Sequence, residues 1–152
     1  MNEEKTIKYV INDKRAVVPK KAHPSDIGYD LTTIDVFKKV SDRITLFETG
    51  IAVSPPNGYY LEILPRSSLS KTGYMLANSV GTIDPNYTGT LKIALIKVYQ
   101  DLPDIELPFT KCQLVVRKAE RTVLQEVSSL EDTDRGGGGF GSRLGLVEAT
   151  TA

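Results

Sequence analysis

Short apolar runs rich in Val, Ile, Leu and Tyr recur along this chain. They cover residues 7–11, 16–18, 44–47, 51–53, 59–64, 91–99 and 113–116. Turn-forming residues separate them: Asn12-Asp13, Pro55-Pro56-Asn57-Gly58, Asp84-Pro85-Asn86 and Leu102-Pro103-Asp104. β-Branched runs punctuated by Pro, Gly, Asn and Asp predict short strands. In one run Leu91, Ile93, Leu95 and Lys97 alternate with Lys92, Ala94, Ile96 and Val98. Both phases are mostly apolar, which predicts a strand buried on both sides. Residues 120–131 are ambiguous. Val123, Leu124, Val127 and Leu130 have helical spacing, while Val123, Gln125 and Val127 alternate. The β surroundings favour a strand. The predicted fold class is all-β: a sandwich, a jelly roll or a barrel.

The pattern fades near Ser128. Serines and acids lead into Arg135-Gly136-Gly137-Gly138-Gly139-Phe140-Gly141-Ser142, which holds five of the chain's 12 glycines. Such a segment packs no core and loses much entropy on ordering. The expected organisation is a β-rich domain over residues 1–128 and a mobile tail over 129–152 that orders when a ligand binds.

Length and charge narrow the class. The 152 residues suit one domain. Lys+Arg and Asp+Glu both number 19, which weighs against a globally basic nucleic-acid binder. With one cysteine, Cys112, and one histidine, His23, the chain has no internal disulfide, no Cys-rich zinc site and no multi-histidine metal site. The first ten residues carry two acids and no apolar core, so neither a signal peptide nor a membrane span is expected. An intracellular protein is expected, cytoplasmic or nuclear, from a cell or from a virus that replicates inside one.

Four segments carry candidate chemistry. The glycine-rich tail offers backbone N–H groups to phosphate oxygens, with Arg135 and Ser142 as further donors and Phe140 as a stacking surface. Composition alone favours a linker. Pro65-Arg66-Ser67-Ser68-Leu69 follows a predicted strand, and its guanidinium and hydroxyls suit phosphate. An ordinary strand exit explains it equally well. Residues 78–89 read as a β-hairpin or tight return. They bring Asn78, an aspartate able to act as general base (Asp84) and a flat wall (Tyr87) into one loop. By spacing alone a turn suffices. Gly28-Tyr29-Asp30-Leu31 places a carboxylate, Asp30, where it could orient Mg²⁺-bound water. A surface turn is the simpler alternative. Together the four form an inventory for nucleotide hydrolysis, where positioning and charge stabilisation carry the catalysis.

The order of these segments resembles the trimeric dUTP pyrophosphatases, or dUTPases. Gly28 to Leu31, Pro65 to Leu69, Gly81 to Gly89, Gln113-Leu114-Val115 and Arg135 to Ser142 are similar to that family's five motifs in sequence order. The resemblance implies a distorted jelly-roll-like (β-clip) subunit, a homotrimer with shared active sites, and hydrolysis of dUTP to dUMP and pyrophosphate. That reaction keeps uracil out of DNA and supplies dUMP for dTMP synthesis. By the same resemblance, Asp84 activates the attacking water and Tyr87 excludes a 2′-hydroxyl. Asn78 lies where backbone reads uracil. Asp30 holds waters of a triphosphate-bound Mg²⁺. Arg66, Ser67, Ser68, Gln113 and Ser142 contact phosphates, Arg135 reaches the γ-phosphate, and Phe140 stacks over uracil. The substrate is a free nucleotide, with no role for nucleic acid or membrane.

The chain departs from the family pattern in places. Arg143-Leu144 stands where the fifth motif has a threonine, and Thr90 stands where the third continues into Glu or Gln. Competing classes are weaker. A dCTP deaminase of the same fold disagrees with the 84–89 segment and the Phe140 tail. A zinc deaminase lacks its ligands. An RNA-binding β domain lacks a basic–aromatic sheet motif. A regulatory dUTPase-like protein is separated from the enzyme by nucleotide turnover.

Overall fold

The computed structural model describes residues 4–141. The chain divides into a large unit, Met1–Glu120, and a small one, Arg121–Ala152. The all-β expectation holds for the large unit. Its strands are β1 (Lys8–Ile11), β2 (Tyr29–Thr33), β3 (Asp35–Lys39), β4 (Ile44–Ser54), β5 (Tyr59–Pro65), β6 (Tyr74–Leu76), β7 (Gly81–Ile83), β8 (Thr90–Lys97) and β9 (Phe109–Lys118). One short 3-10 helix, Ser67–Lys71, follows β5. No helix among the described residues is long and apolar enough to cross a membrane.

All the strand pairings are antiparallel and form two sheets. One runs β1-β4-β8-β6, with β3 also on β4; the other runs β2-β9-β5-β7. The core draws on both sheets: Phe47, Ile51 and Val53 of β4 and Leu91, Ile93 and Leu95 of β8 join Leu31, Leu61, Ile63, Cys112 and Leu114. Period-2 alternation explains this set, since every second side chain faces the same way.

Four readings of the pattern change. Strand β8 is buried on one face within the chain. Leu91, Ile93 and Leu95 are at most 1% exposed, while Lys92, Ala94 and Ile96 stay half-exposed. Residues 16–18 form no strand. They leave a turn in which the Ala16 N–H donates to the Asp13 carbonyl, beside Arg15 bridging Asp13 and Asp35. Residues 121–131 form no strand either, and Val123, Leu124 and Leu130 are exposed. The runs 44–47 and 51–53 are one strand, β4, with a register shift between Glu48 and Ala52.

The lone thiol lies in this core. Burial pushes Cys112 up from 9.0 to about 12. The unfolded thiol ionises first, so its share of stability is intact below 9.0 and is lost as pH rises toward about 12. Native protein at pH 8 should therefore resist iodoacetamide, while denatured protein should take one label. Rapid native labelling seen by mass spectrometry would contradict this burial.

Candidate active site

Sheet register gathers one set of polar groups. Strands β2 and β9 pair Asp30 with Gln113, and β5 and β9 pair Leu64 with Gln113. Asp30, Gln113 and the end of β5 therefore lie along one line across three strands. The Gln113 Nε2 donates to the Pro65 carbonyl at 3.0 Å. The Arg66 backbone N–H donates to the Lys111 carbonyl at 2.9 Å. Its side chain reaches back, with Nε 3.2 Å from Asp30 Oδ1 and Nη1 donating to the Thr110 carbonyl at 2.9 Å. Gly28 makes room for this arrangement. A Cβ there would stand 2.1 Å from Gln113 Oε1.

The short helix starts directly after Arg66 and buries Leu69 beneath it. Ser67 is exposed and borders a groove of about 520 Å³ with Arg66, Tyr74, Leu76 and Ser79. Ser68 is half-buried. Its Oγ is buried and has no hydrogen-bond partner among the described residues. The 3-10 geometry turns successive side chains by about a third of a turn. The exposed Ser67 and the enclosed Ser68 Oγ therefore point in different directions.

A second set follows β6. Residues 78–89 are a tight return and not a hairpin, because β6 pairs with β8 while β7 pairs with β5 in the other sheet. Asn78 is exposed, and the Val80 N–H donates to its carbonyl at 2.6 Å. Strand β7 lies close on β5, and Gly81 faces Ile63. After Ile83 the chain turns, with the Tyr87 N–H donating to the Asp84 carbonyl at 3.1 Å. The Asp84 carboxylate is exposed and has no hydrogen bond or ion pair among the described residues. Tyr87 is tethered: its hydroxyl donates to the Thr90 carbonyl at 2.8 Å. Its ring crosses Gly89, where a Cβ would meet the hydroxyl at 2.5 Å.

One chain does not bring Asp84 and Tyr87 to Asp30, Arg66 and Gln113. β7 runs antiparallel to β5, from Gly81 beside Ile63 to Ile83 beside Leu61. Asp84 thus leaves toward the start of β5, while Arg66 follows its end. Five residues of strand separate Leu61 from Arg66, about 17 Å.

The small unit has its own local order. The Arg135 Nε donates to the Gly138 carbonyl at 2.6 Å, and the Gly138 N–H donates to the Arg135 carbonyl at 3.0 Å. Phe140 is fully exposed at φ 53°, a left-handed conformation uncommon outside glycine. Ser142, and with it Arg143 and Leu144, lies outside the described residues.

Among the described residues no group of three or more His, Cys, Asp or Glu could hold a metal ion. The donor set fits a cation carried by a polyphosphate and reached through water. Asp30 offers one carboxylate, already engaged through Oδ1, and Mg²⁺ takes few protein ligands.

The sequence reading missed Gly28 and Gly89 as spacers and the Thr110 carbonyl as an anchor. The glycines stand at the edges of the two segments and were open to that reading. A backbone carbonyl leaves no trace in residue type.

A sequence model of the dUTPase family matches residues 14–144. The chain belongs to the dUTPase family. Among its relatives, the deoxyuridine 5′-triphosphate nucleotidohydrolase of Rhodococcus erythropolis is 45% identical over 131 residues, covering 84% of this chain and 79% of that protein. The one from Finegoldia magna is 40% identical over 136 residues, covering 87% and 94%. A Staphylococcus bacteriophage 80alpha dUTPase variant, solved with dUpNHpp, shares the fold at a TM-score of 0.76 and 24% identity, covering 91% of this chain and 98% of that one. A dUTPase from phage phi11 of S. aureus, described with a structural Mg(II) ion, superposes at a TM-score of 0.68 and 22% identity, covering 84% and 99%. The dUTPase match spans both residue sets and reaches through Arg135, Phe140 and Ser142.

Proposed function

We propose that this protein hydrolyses dUTP to dUMP and pyrophosphate in active sites shared between copies of the chain. The observation that carries the proposal is the separation of two complementary half-sites along β5. At one end Arg66, Ser67 and Gln113 offer phosphate donors, with Asp30 beside them. At the other Asp84 offers a free carboxylate next to a tethered aromatic ring. A homotrimer brings the half-site at the end of β5 in one chain to the Asp84 half-site of another and completes each site.

The division of labour follows from the groups. Asp84 takes a proton from water as that water attacks the α-phosphorus. A new P–O bond forms, the bond to the bridging oxygen breaks, and pyrophosphate leaves with that electron pair. Arg66, Ser67 and Gln113 hold the charged oxygens, and charge-assisted hydrogen bonds make that hold directional. Asp30 is the residue that would hold the waters of a Mg²⁺ ion, which when bound would neutralise phosphate charge. Asn78 lies in the return whose backbone reads uracil. The tail supplies Arg135 to the γ-phosphate, Phe140 over the base and Ser142 to phosphate, and it excludes water when it closes. The product dUMP serves dTMP synthesis, and removing dUTP keeps uracil out of DNA inside the cell.

The test is pyrophosphate release from dUTP, dCTP, dTTP and UTP, with Mg²⁺ and with chelator. Mg²⁺-dependent turnover confined to dUTP is expected. Ammonia release from dCTP would point to a deaminase instead, and nucleotide binding without any turnover would point to a regulatory protein.

Tyr87 sets a second expectation. Its ring is held by Thr90 at one end and lies over Gly89, so it forms a rigid wall against the sugar. Tyr87→Ala should narrow the preference for dUTP over UTP by about tenfold or more, as read from the two kcat/KM values. Unchanged selectivity would remove Tyr87 from that role.

A further inference from the structure

Arg66 is held on two sides before any ligand arrives. A guanidinium has five N–H groups in a fixed fork. Here Nε faces Asp30 Oδ1 at 3.2 Å, and one Nη1 hydrogen points to the Thr110 carbonyl at 2.9 Å. The Nε contact is an ion pair, and three Nη N–H groups, one on Nη1 and two on Nη2, carry no hydrogen bond among the described residues.

Both ends of the pair are anchored by backbone. The Asp30 N–H donates to the Lys20 carbonyl at 2.7 Å, and Asp30 sits in register with Gln113. The Arg66 N–H donates to the Lys111 carbonyl at 2.9 Å, on the same strand β9. The side chains are 28% and 34% exposed for Asp30 and Arg66. A pair this open contributes little to stability. Its geometric effect is larger, because an unrestrained arginine samples many rotamers and loses that freedom on binding phosphate.

We propose that Asp30 is a positioning residue for Arg66: it clamps the guanidinium, together with the Thr110 carbonyl, so that the three free N–H groups meet a nucleotide polyphosphate. This deepens the dUTP hydrolase reading and rests on it. It gives Asp30 a task that does not pass through the metal.

The experiment uses the full chain as wild type, Asp30→Asn, Arg66→Ala and the double variant. Three quantities are read: kcat/KM for dUTP, the Mg²⁺ concentration for half-maximal rate, and the affinity for dUpNHpp in chelator. Asp30→Asn should lower kcat/KM and metal-free affinity by about tenfold each, and the loss in chelator is the part that Mg²⁺-bound waters do not explain. In metal-free affinity the double variant should be no worse than Arg66→Ala within about twofold, because the clamp has nothing left to hold.

A shifted Mg²⁺ midpoint with unchanged metal-free affinity would overturn the proposal and assign Asp30 to the metal's waters alone. Additive losses of metal-free affinity in the double variant would overturn it as well. If Asp30→Asn fails to fold, Arg66→Lys replaces it. Lysine keeps the charge but lacks the fork, so it should lose metal-free affinity like Arg66→Ala, and wild-type affinity would overturn the clamp. If wild type neither turns over nor binds nucleotide, the functional reading falls by itself. The clamp is then judged on tripolyphosphate binding in chelator: non-additive losses support it, and additive or absent losses overturn it.

Discussion

Asp84→Asn is expected to lower dUTP turnover by about 10²–10⁴-fold while leaving dUpNHpp binding within a few-fold of wild type. The substitution removes the proton acceptor and keeps the shape. Asp84 has no side-chain partner among the described residues, so nothing in the fold depends on its charge. Exposed changes of this kind usually stay within about 0.5 kcal/mol of neutral stability. Pyrophosphate release measures the loss, calorimetry measures binding, and a thermal melt checks the fold. An Asn variant that turns over at the wild-type rate would place the base elsewhere.

Removing Arg135 and everything after it should cut turnover by about 10²-fold or more. On the roles proposed above, that deletion takes away the γ-phosphate donor and the aromatic cover together, and one lost transition-state donor alone costs about that much. The large unit should keep its structure, because its buried hydrophobic residues all lie between Leu31 and Val115. Unaltered circular dichroism and melting with crippled kcat is the expected pair of results. Full activity in the truncated protein would end the idea that the tail closes the site.

The residues of the candidate site were legible in sequence to different degrees. Arg66, Asp30 and Gln113 come from three separate stretches, and only sheet register places them on one line. Their chemistry could be read from residue type, but their meeting could not. Ser67 and Ser68 look alike in sequence, and one short helix turns one outward and leaves the other's hydroxyl enclosed. The strands were legible where an apolar run was long, as in β5 and β8, while β4 was read as two runs and β9 only over residues 113–116. β6 and β7 have only three residues each, too few for a period to show. The 120–131 segment shows the opposite failure. Its apolar spacing is ambiguous and only its β surroundings favoured a strand, yet a strand needs a neighbour to pair with, and among the described residues it has none.

The opposed placement of Asp84 and Arg66 on β5 has a consequence for the life of the newly made protein. Under the proposed shared-site arrangement, a solitary chain carries half of two different sites and a complete version of neither. Under the shared-site arrangement it is chemically silent as it leaves the ribosome, and assembly is the step that switches catalysis on. Cellular dUTP is then consumed in proportion to finished oligomer and not to translation, so misfolded or orphaned chains do not drain the nucleotide pool.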